Sequence, residues 1–354
     1  MKKRKQKKDY SIFIHITFII ILLTIGVFIY IAGGKNDLET FKKQVEESSP
    51  KKIIANDINR TPKLNEKEKS QYKKYKYKYT YNIEIKGYVK RMEMEIPIPV
   101  NENEKQYLSN VKVSVKPSRL YSDGVNTIAQ YIFQDIESQK MNIVFEGEAN
   151  VRTYNIKTAK ALNKNISPEK DLSRYLKPEI LIESNDPYIM NIARRIKGDS
   201  QEEILQNIYE YIQDNMQYRI INNVSAKKAL QQGYGKCSEY AAIMIALCRA
   251  KKIPARMLLG NIAREKFPQH NWVEVYYDKY GWVVYDPTVS PVNVKVYNNS
   301  GKITKVEKRY DTSPDLNYIT AGRNKLSTYT TSYSVGDSQN GSVIVREDIK
   351  IERI

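Results

Sequence analysis

Gln232-Gly233-Tyr234-Gly235-Lys236-Cys237-Ser238-Glu239-Tyr240-Ala241-Ala242 is the stretch from which the fold is read. Its two glycines mark a turn. The run that follows, Ala241-Ala242-Ile243-Met244-Ile245-Ala246-Leu247-Cys248-Arg249-Ala250, is made of strong helix formers and is apolar almost all round. A helix apolar on every side is a buried one. Cys237 therefore stands at the N-terminus of a buried helix. There the helix dipole and the unpaired N–H groups favour a thiolate. The same N–H groups could form part of an oxyanion hole. The position also suits a cysteine that is only a small apolar residue. Cys248 lies inside the helix, among Ala246 and Leu247, and reads as a buried, inert thiol. Eleven residues of helix hold the two cysteines roughly 16 Å apart, too far for a disulfide.

Downstream, Ile253-Pro254-Ala255-Arg256-Met257-Leu258-Leu259-Gly260 reads as a loop entering a strand. His270-Asn271-Trp272-Val273-Glu274-Val275-Tyr276-Tyr277 alternates as a strand does. After the turn Asp278-Lys279-Tyr280-Gly281, Trp282-Val283-Val284-Tyr285 forms its hairpin partner, and Pro287 ends it just past Asp286. The start of one strand of a hairpin lies beside the end of the next, so His270 and Asp286 are expected as cross-strand neighbours. A nucleophilic thiol needs a base near neutral pH, and imidazole is the natural one. A carboxylate beside it can fix its tautomer. Taken singly, a lone His is as readily structural, and Asp286-Pro287 as readily a turn.

Four motifs occur together: Gly235-x-Cys237-x-Glu239-Tyr240-Ala241, Arg249-Ala250-x-x-Ile253-Pro254-Ala255-Arg256, His270-x-Trp272-x-Glu274 and Trp282-x-x-x-Asp286-Pro287-Thr288. In this order, with 33 residues from Cys to His and 16 from His to Asp, they resemble the transglutaminase-like (papain-related) superfamily. The resemblance covers roughly residues 175–290 and includes Tyr175-Leu176-Lys177-Pro178 and the helices up to Tyr218. It departs at Lys252, where the family often has Gly. It implies an α+β fold of the transglutaminase-like/cysteine-proteinase type, with the Cys-bearing helix packed on an antiparallel sheet. It further implies Cys237 as nucleophile, His270 as general base and acid, and Asp286 as orienter, with Trp272 and Trp282 packing around the hairpin. Tyr234 is placed to wall the cleft or supply a donor. The chemistry expected is attack on an amide carbonyl through a thioester. Water as acceptor makes a protease or deamidase, and a Lys amine makes a cross-linking acyl transferase. The alternative is a non-catalytic cell-envelope binding or scaffold protein on the same fold.

Upstream, Tyr75, Tyr77, Tyr79, Tyr81, Ile83 and Ile85 alternate with Lys76, Lys78, Thr80, Asn82, Glu84 and Lys86. This predicts a long strand with Tyr facing a core and Lys facing water. Further strand signals at Met92–Val100, Val111–Val115, Thr127–Asp135 and Met141–Tyr154, with a turn at Ser122-Asp123-Gly124, make residues 72–160 a small antiparallel β domain. Helix starts follow at Ser167-Pro168, Asp186-Pro187 and the capping-box pattern Ser200-Gln201-Glu202-Glu203. The transglutaminase-like domain is expected over 161–325. Residues 326–354 read as a C-terminal β-hairpin.

At the N-terminus six basic residues within 1–11 precede the uncharged apolar run Ile12–Ala32. Its 21 residues match the ~20 that cross a bilayer. The basic flank predicts a cytoplasmic tail at 1–11, a transmembrane helix at 12–32 and an extracellular remainder joined by a linker at 33–71. Lys and Arg outnumber Asp and Glu 58 to 40, for a net charge of +18. That surplus suits anionic cell-wall polymers or lipid headgroups, whereas the topology argues against nucleic acid. A protein or peptide substrate is the expected partner. No cofactor and no metal site are expected: one His and two distant Cys cannot build one, and no Gly-rich phosphate loop is present.

Overall fold

The tyrosine–lysine alternation folds as its period of two dictates. In β1 (Lys73–Gly87) Tyr75, Tyr77, Tyr79, Tyr81, Ile83 and Ile85 are buried, while Lys76 and Lys78 face solvent. A computed structural model of the chain describes residues 70–99, 101–102, 105–162, 169, 171–263, 269–288, 292–297, 303–309, 318–323, 325, 327–335 and 340–354. All of these belong to one compact unit. The expected basic tail (1–11), the membrane-spanning helix (12–32), nearly all of the linker (33–71) and the helix start at Ser167-Pro168 lie outside the described residues. Among the described residues no helix is long and apolar enough to cross a membrane.

After β1 come β2 (Val89–Ile98), β3 (Gln106–Val113), β4 (Arg119–Ser122), β5 (Thr127–Ile136) and β6 (Gln139–Val151). The turn at Asp123 joins β4 to β5, its carboxylate accepting from the N–H groups of Val125 and Asn126. The strands form two antiparallel four-stranded sheets sharing one core, with Tyr81, Met92, Met94, Leu108 and Phe145 inside. Each sheet is completed from the far end of the chain. Residues 326–354 do not form a hairpin, contrary to their reading as a terminal one. Thr330–Ser334 pairs with β2 in one sheet and Gly341–Arg353 pairs with β1 in the other. Gly341–Arg353 pairs along 13 residues of β1, a run that the five-residue segment Thr330–Ser334 could not offer it.

Between these two parts of the β-sandwich lies the α+β region. It comprises α1 (Ile156–Leu162), α2 (Pro187–Arg195), α3 (Gln201–Asn215), β7 (Gln217–Tyr218), α4 (Ala226–Gln232), β8 (Tyr234–Gly235) and α5 (Cys237–Ala250). Then follow β9 (Ala255–Ile262), β10 (His270–Tyr277), β11 (Gly281–Tyr285), β12 (Val292–Tyr297), β13 (Ile303–Arg309) and β14 (Tyr318–Arg323). The sandwich segments Thr330–Ser334 and Gly341–Arg353 are β15 and β16. Asp186 caps α2 by accepting from Tyr188 N–H at 2.8 Å. Ser200 caps α3 by accepting from Glu203 N–H at 3.2 Å. The reciprocal half of that capping box is displaced by one residue, since the Glu203 carboxylate accepts from Asp199 N–H.

α5 is buried along its length, as its all-round apolarity requires. It packs between α2, α3 and α4 on one side and the antiparallel sheet β11-β10-β9-β14 on the other. The far face of that sheet meets the sandwich. Tyr79 donates to Asn261 Oδ1 at 2.7 Å, Gln106 exchanges two hydrogen bonds with the Thr320 backbone, and Ile319 joins the sandwich core.

Candidate functional site

Three elements converge at one end of α5. Gly233, in the left-handed conformation at φ +74°, closes α4 and turns the chain back. Glu239 then accepts from the Lys236 N–H at 3.0 Å, and Cys237 begins the helix. His270 opens β10, and Asp286 follows β11. The hairpin register pairs Val273 with Tyr285. Asp286 therefore falls opposite Trp272, one diagonal from His270.

The geometry brings all three residues together. His270 Nε2 lies 2.7 Å from Asp286 Oδ2. Cys237 stands near enough to His270 and to the Asn271 N–H for both to act on its thiol. Asp286 is wholly buried, and Cys237 and His270 are 8% and 7% exposed. Asp286 is itself held on every side. Oδ1 accepts from Thr288 N–H at 3.0 Å and Thr288 Oγ1 at 2.6 Å, and Oδ2 also accepts from Tyr318 Oη at 3.0 Å. Its backbone carbonyl accepts from Tyr209 on α3 at 2.7 Å. The His270 ring lies near-parallel to those of Trp272 and Tyr318, at 5.9 and 6.3 Å, and those two rings touch each other at 4.6 Å.

This arrangement sets the charges. Burial alone would push the Cys237 thiol up, but the hydrogen bond and charge of His270 and the Asn271 N–H outweigh it, and the thiol lies below its ordinary range. Burial alone would hold His270 neutral, but the Asp286 charge and hydrogen bond, with those of Cys237, lift it to about 10. Burial opposes the Asp286 charge as well; His270 and Thr288 outweigh it and hold that carboxyl below the usual range. These directions all favour a thiolate–imidazolium pair beside a fixed carboxylate. Cys248 shows the contrast, as burial in mid-helix pushes it up to about 12.

Other motif residues have structural work. Glu274, with no exposed surface, is an ion-pair partner of Arg256 at 2.7 Å and of Lys105 from the sandwich. Arg256 also stacks over Trp282 at 4.1 Å. Arg249 donates to the carbonyls of Lys177 and Ala255. Trp272 is fully buried.

Tyr234 does not supply the donor at Cys237: its ring lies under the Arg219 guanidinium at 4.7 Å. Tyr218, its partner's neighbour in the two-residue β7–β8 pairing, is the tyrosine whose phenol is raised by burial and by the charge of Cys237. No local signal separates Tyr218, Tyr318 or Tyr209 from the rest of the 28 tyrosines. A mainly apolar cavity of about 400 Å³ flanks the first turns of α5, lined by Ile180, Ile182, Val224, Ser238, Ala242 and Met257. Among the described residues no group of His, Cys, Asp and Glu could hold a metal ion.

Comparison with known proteins agrees with this architecture. Residues 190–287 match the model of the transglutaminase-like superfamily. The uncharacterized protein YebA of Bacillus subtilis (strain 168) is 30% identical over 81 residues, which is 19% of this chain and 11% of YebA. The chain thus spans about a tenth of that relative's length. A candidate cysteine protease from Cytophaga hutchinsonii superposes with a TM-score of 0.57 at 16% identity, over 80% of this chain and 91% of that one. At that identity the likeness is one of fold. The periplasmic domain of TgpA from Pseudomonas aeruginosa covers 59% of this chain and 87% of its own, at 15% identity and a TM-score of 0.31, too distant to bear on the fold.

Proposed function

With residues 190–287 forming a transglutaminase-like superfamily domain, we propose that the chain is a thiol enzyme acting on amide bonds of proteins or peptides through Cys237, His270 and Asp286. The observation that carries this reading is the buried His270–Asp286 hydrogen bond beside Cys237 at the start of α5, with the thiol below its ordinary range. The Cys237 thiolate attacks the amide carbonyl carbon, and the C=O π electrons move to oxygen. As the tetrahedral species collapses, the His270 imidazolium gives its proton to the departing amine and a thioester remains. An incoming water or lysine amine loses its proton to His270 and expels the thiolate. Asp286 keeps the imidazole oriented throughout and balances its positive charge. Water makes the enzyme a protease or deamidase; an amine makes it a cross-linker.

The N-terminal sequence supports a membrane-anchored enzyme with its catalytic part outside the cell. There its basic surface would meet anionic cell-wall polymers or lipid headgroups.

The decisive test is the rate of iodoacetamide labelling of the full-length protein between pH 5 and 9, resolved by site, with Cys248 as internal control. Fast labelling of Cys237 below pH 7 that disappears in His270→Ala is expected. Labelling that rises only around the pKa of an ordinary thiol (~8.5), unchanged in His270→Ala, would remove the enzyme reading and leave a binding protein on the same fold.

A further inference from the structure

We propose that Tyr318 is a positioning residue of this reaction: its hydroxyl shares Asp286 Oδ2 with the His270 ring and so sets how readily His270 takes up and releases a proton. This rests on the thiol chemistry proposed above. Tyr318 itself lies outside the residues that match the family model.

Asp286 Oδ2 faces both His270 Nε2, at 2.7 Å, and Tyr318 Oη, at 3.0 Å. An ionised carboxylate can only accept, so the phenol donates its proton. Oδ1 is occupied by the N–H and the hydroxyl of Thr288. Every donor on a carboxylate steadies its negative charge and lowers its pull on the next proton. What the phenol draws from Oδ2 is withheld from the imidazolium. The ring's proton is therefore held less tightly than Asp286 would hold it without Tyr318. That pull is strong: burial lowers His270, yet the Asp286 charge and hydrogen bond, with Cys237, raise it to about 10. His270 has to give a proton to the departing amine and take one from the incoming water, and such a group works best when its pKa is near the working pH. A donor that tempers Asp286 favours both steps.

The fold brings this hydroxyl in from the far edge of the sheet and holds it there. His270 pairs with Gly260 on β9, and Gly260 pairs with Thr320 on β14. Tyr318, two residues before Thr320, shares its face of the sheet. Gly260 puts no side chain between β10 and β14; a Cβ there would lie 3.0 Å from the Trp272 ring. Across that gap the Tyr318 ring meets Trp272 at 4.6 Å and lies within 13° of parallel to His270. Behind it Ile319 sits in the sandwich core, and the Thr320 backbone exchanges two hydrogen bonds with Gln106. Tyr318 is buried, so its hydroxyl has little room to leave Asp286. The titratable groups that act chiefly on His270 are Asp286, after β11, and Cys237, on α5. Tyr218, raised by burial and by Cys237, stays neutral. Once Cys237 is acylated its charge is gone, and Asp286, with Thr288 and Tyr318 upon it, sets the proton affinity of the ring.

The test reads that affinity from the hydrolysis of the acetyl-enzyme in the full chain. p-Nitrophenyl acetate acetylates Cys237: the S–C bond forms and p-nitrophenolate leaves. Water then adds to the thioester carbon, its proton passes to His270, and the C–S bond breaks to release acetate. The hydrolysis rate rises with pH as His270 becomes neutral, and the midpoint reports the ring. In Tyr318→Phe the midpoint is expected to move up by about one pH unit. With 3,5-difluorotyrosine at position 318, a stronger donor of nearly the same size, it is expected to move down; this chain decides the question if Tyr318→Phe fails to fold. A midpoint that stays in place while the rate falls equally at every pH overturns the proposal, because the hydroxyl would then be only structural. A midpoint that falls in Tyr318→Phe, or rises with the fluorinated ring, overturns it as well. A wild-type chain that forms no acetyl-enzyme, or whose acetyl-enzyme is hydrolysed equally fast in His270→Ala, removes the enzyme reading itself before the Tyr318 chains are compared.

Discussion

Two cysteines in one helix differ only in position, and their thiols move in opposite directions. Cys237, at the helix start, meets His270 and the Asn271 N–H and is lowered; Cys248, one helix-length on, meets apolar side chains and is raised to about 12. Each residue of the candidate site has a local signature: a turn before a buried helix for Cys237, the head of a strand for His270, a proline-terminated strand for Asp286. Tyr318 has none, because it reaches Asp286 from a strand 32 residues further on. Removing its hydroxyl in Tyr318→Phe takes one donor from a wholly buried carboxylate. The expected cost is about 1.5–3 kcal/mol of folding stability, read by urea denaturation, with no change in the slope against denaturant. A loss under about 0.5 kcal/mol would mean that Thr288 and His270 satisfy Asp286 without it.

At the scale of elements, the hairpin β10–β11 was legible because its alternation and its turn agree. A one-residue slip would carry Asp286 to the other face and away from His270. The neighbouring strand β14 was not legible. It docks against β9 where Gly260 leaves room: a Cβ there would lie 1.9 Å from the Ile319 carbonyl oxygen. The residue type that permits the approach is visible in the sequence, but the strand that uses it is named only by the fold. The terminal strands repeat the lesson. β15 and β16 each carry strand-like alternation, and two alternating runs around a turn suggest a hairpin. Instead each pairs with an edge of the sandwich, β2 and β1, more than two hundred residues upstream.

Across the whole molecule, buried charge fastens the sandwich to the sheet β11-β10-β9-β14. Glu274 on β10 bonds Arg256 on β9 and Lys105 beside β3, and Glu102 bonds Arg323 on β14 at 2.9 Å. Burial would push the Glu274 carboxyl up, but Arg256, Lys105 and Arg323 outweigh it and hold it at about 2. Its folded value lies below the unfolded value near 4.5. Its contribution to stability is therefore complete above pH ~4.5 and is lost as the pH falls towards 2. Glu274→Gln leaves the buried Arg256 without its ion-pair partner and Lys105 with only Glu102, at 3.9 Å, and should cost about 3–5 kcal/mol at pH 7. The variant should also lose less stability than wild type between pH 5 and 2.5. Equal acid sensitivity in both would show that other carboxylates govern acid unfolding.

The sequence by itself determined the local order: a buried helix begun by Cys237, a hairpin holding His270 and Asp286, and a tyrosine-lined strand facing a core. Those features follow from periodicity, capping and turn chemistry, which act over a few residues. Only the tertiary structure decided which tyrosines serve the site, why Arg256 and Glu274 stand where they do, and where the C-terminal strands go. These depend on contacts between segments tens to hundreds of residues apart, where many sequence positions offer the same side chain and packing selects one.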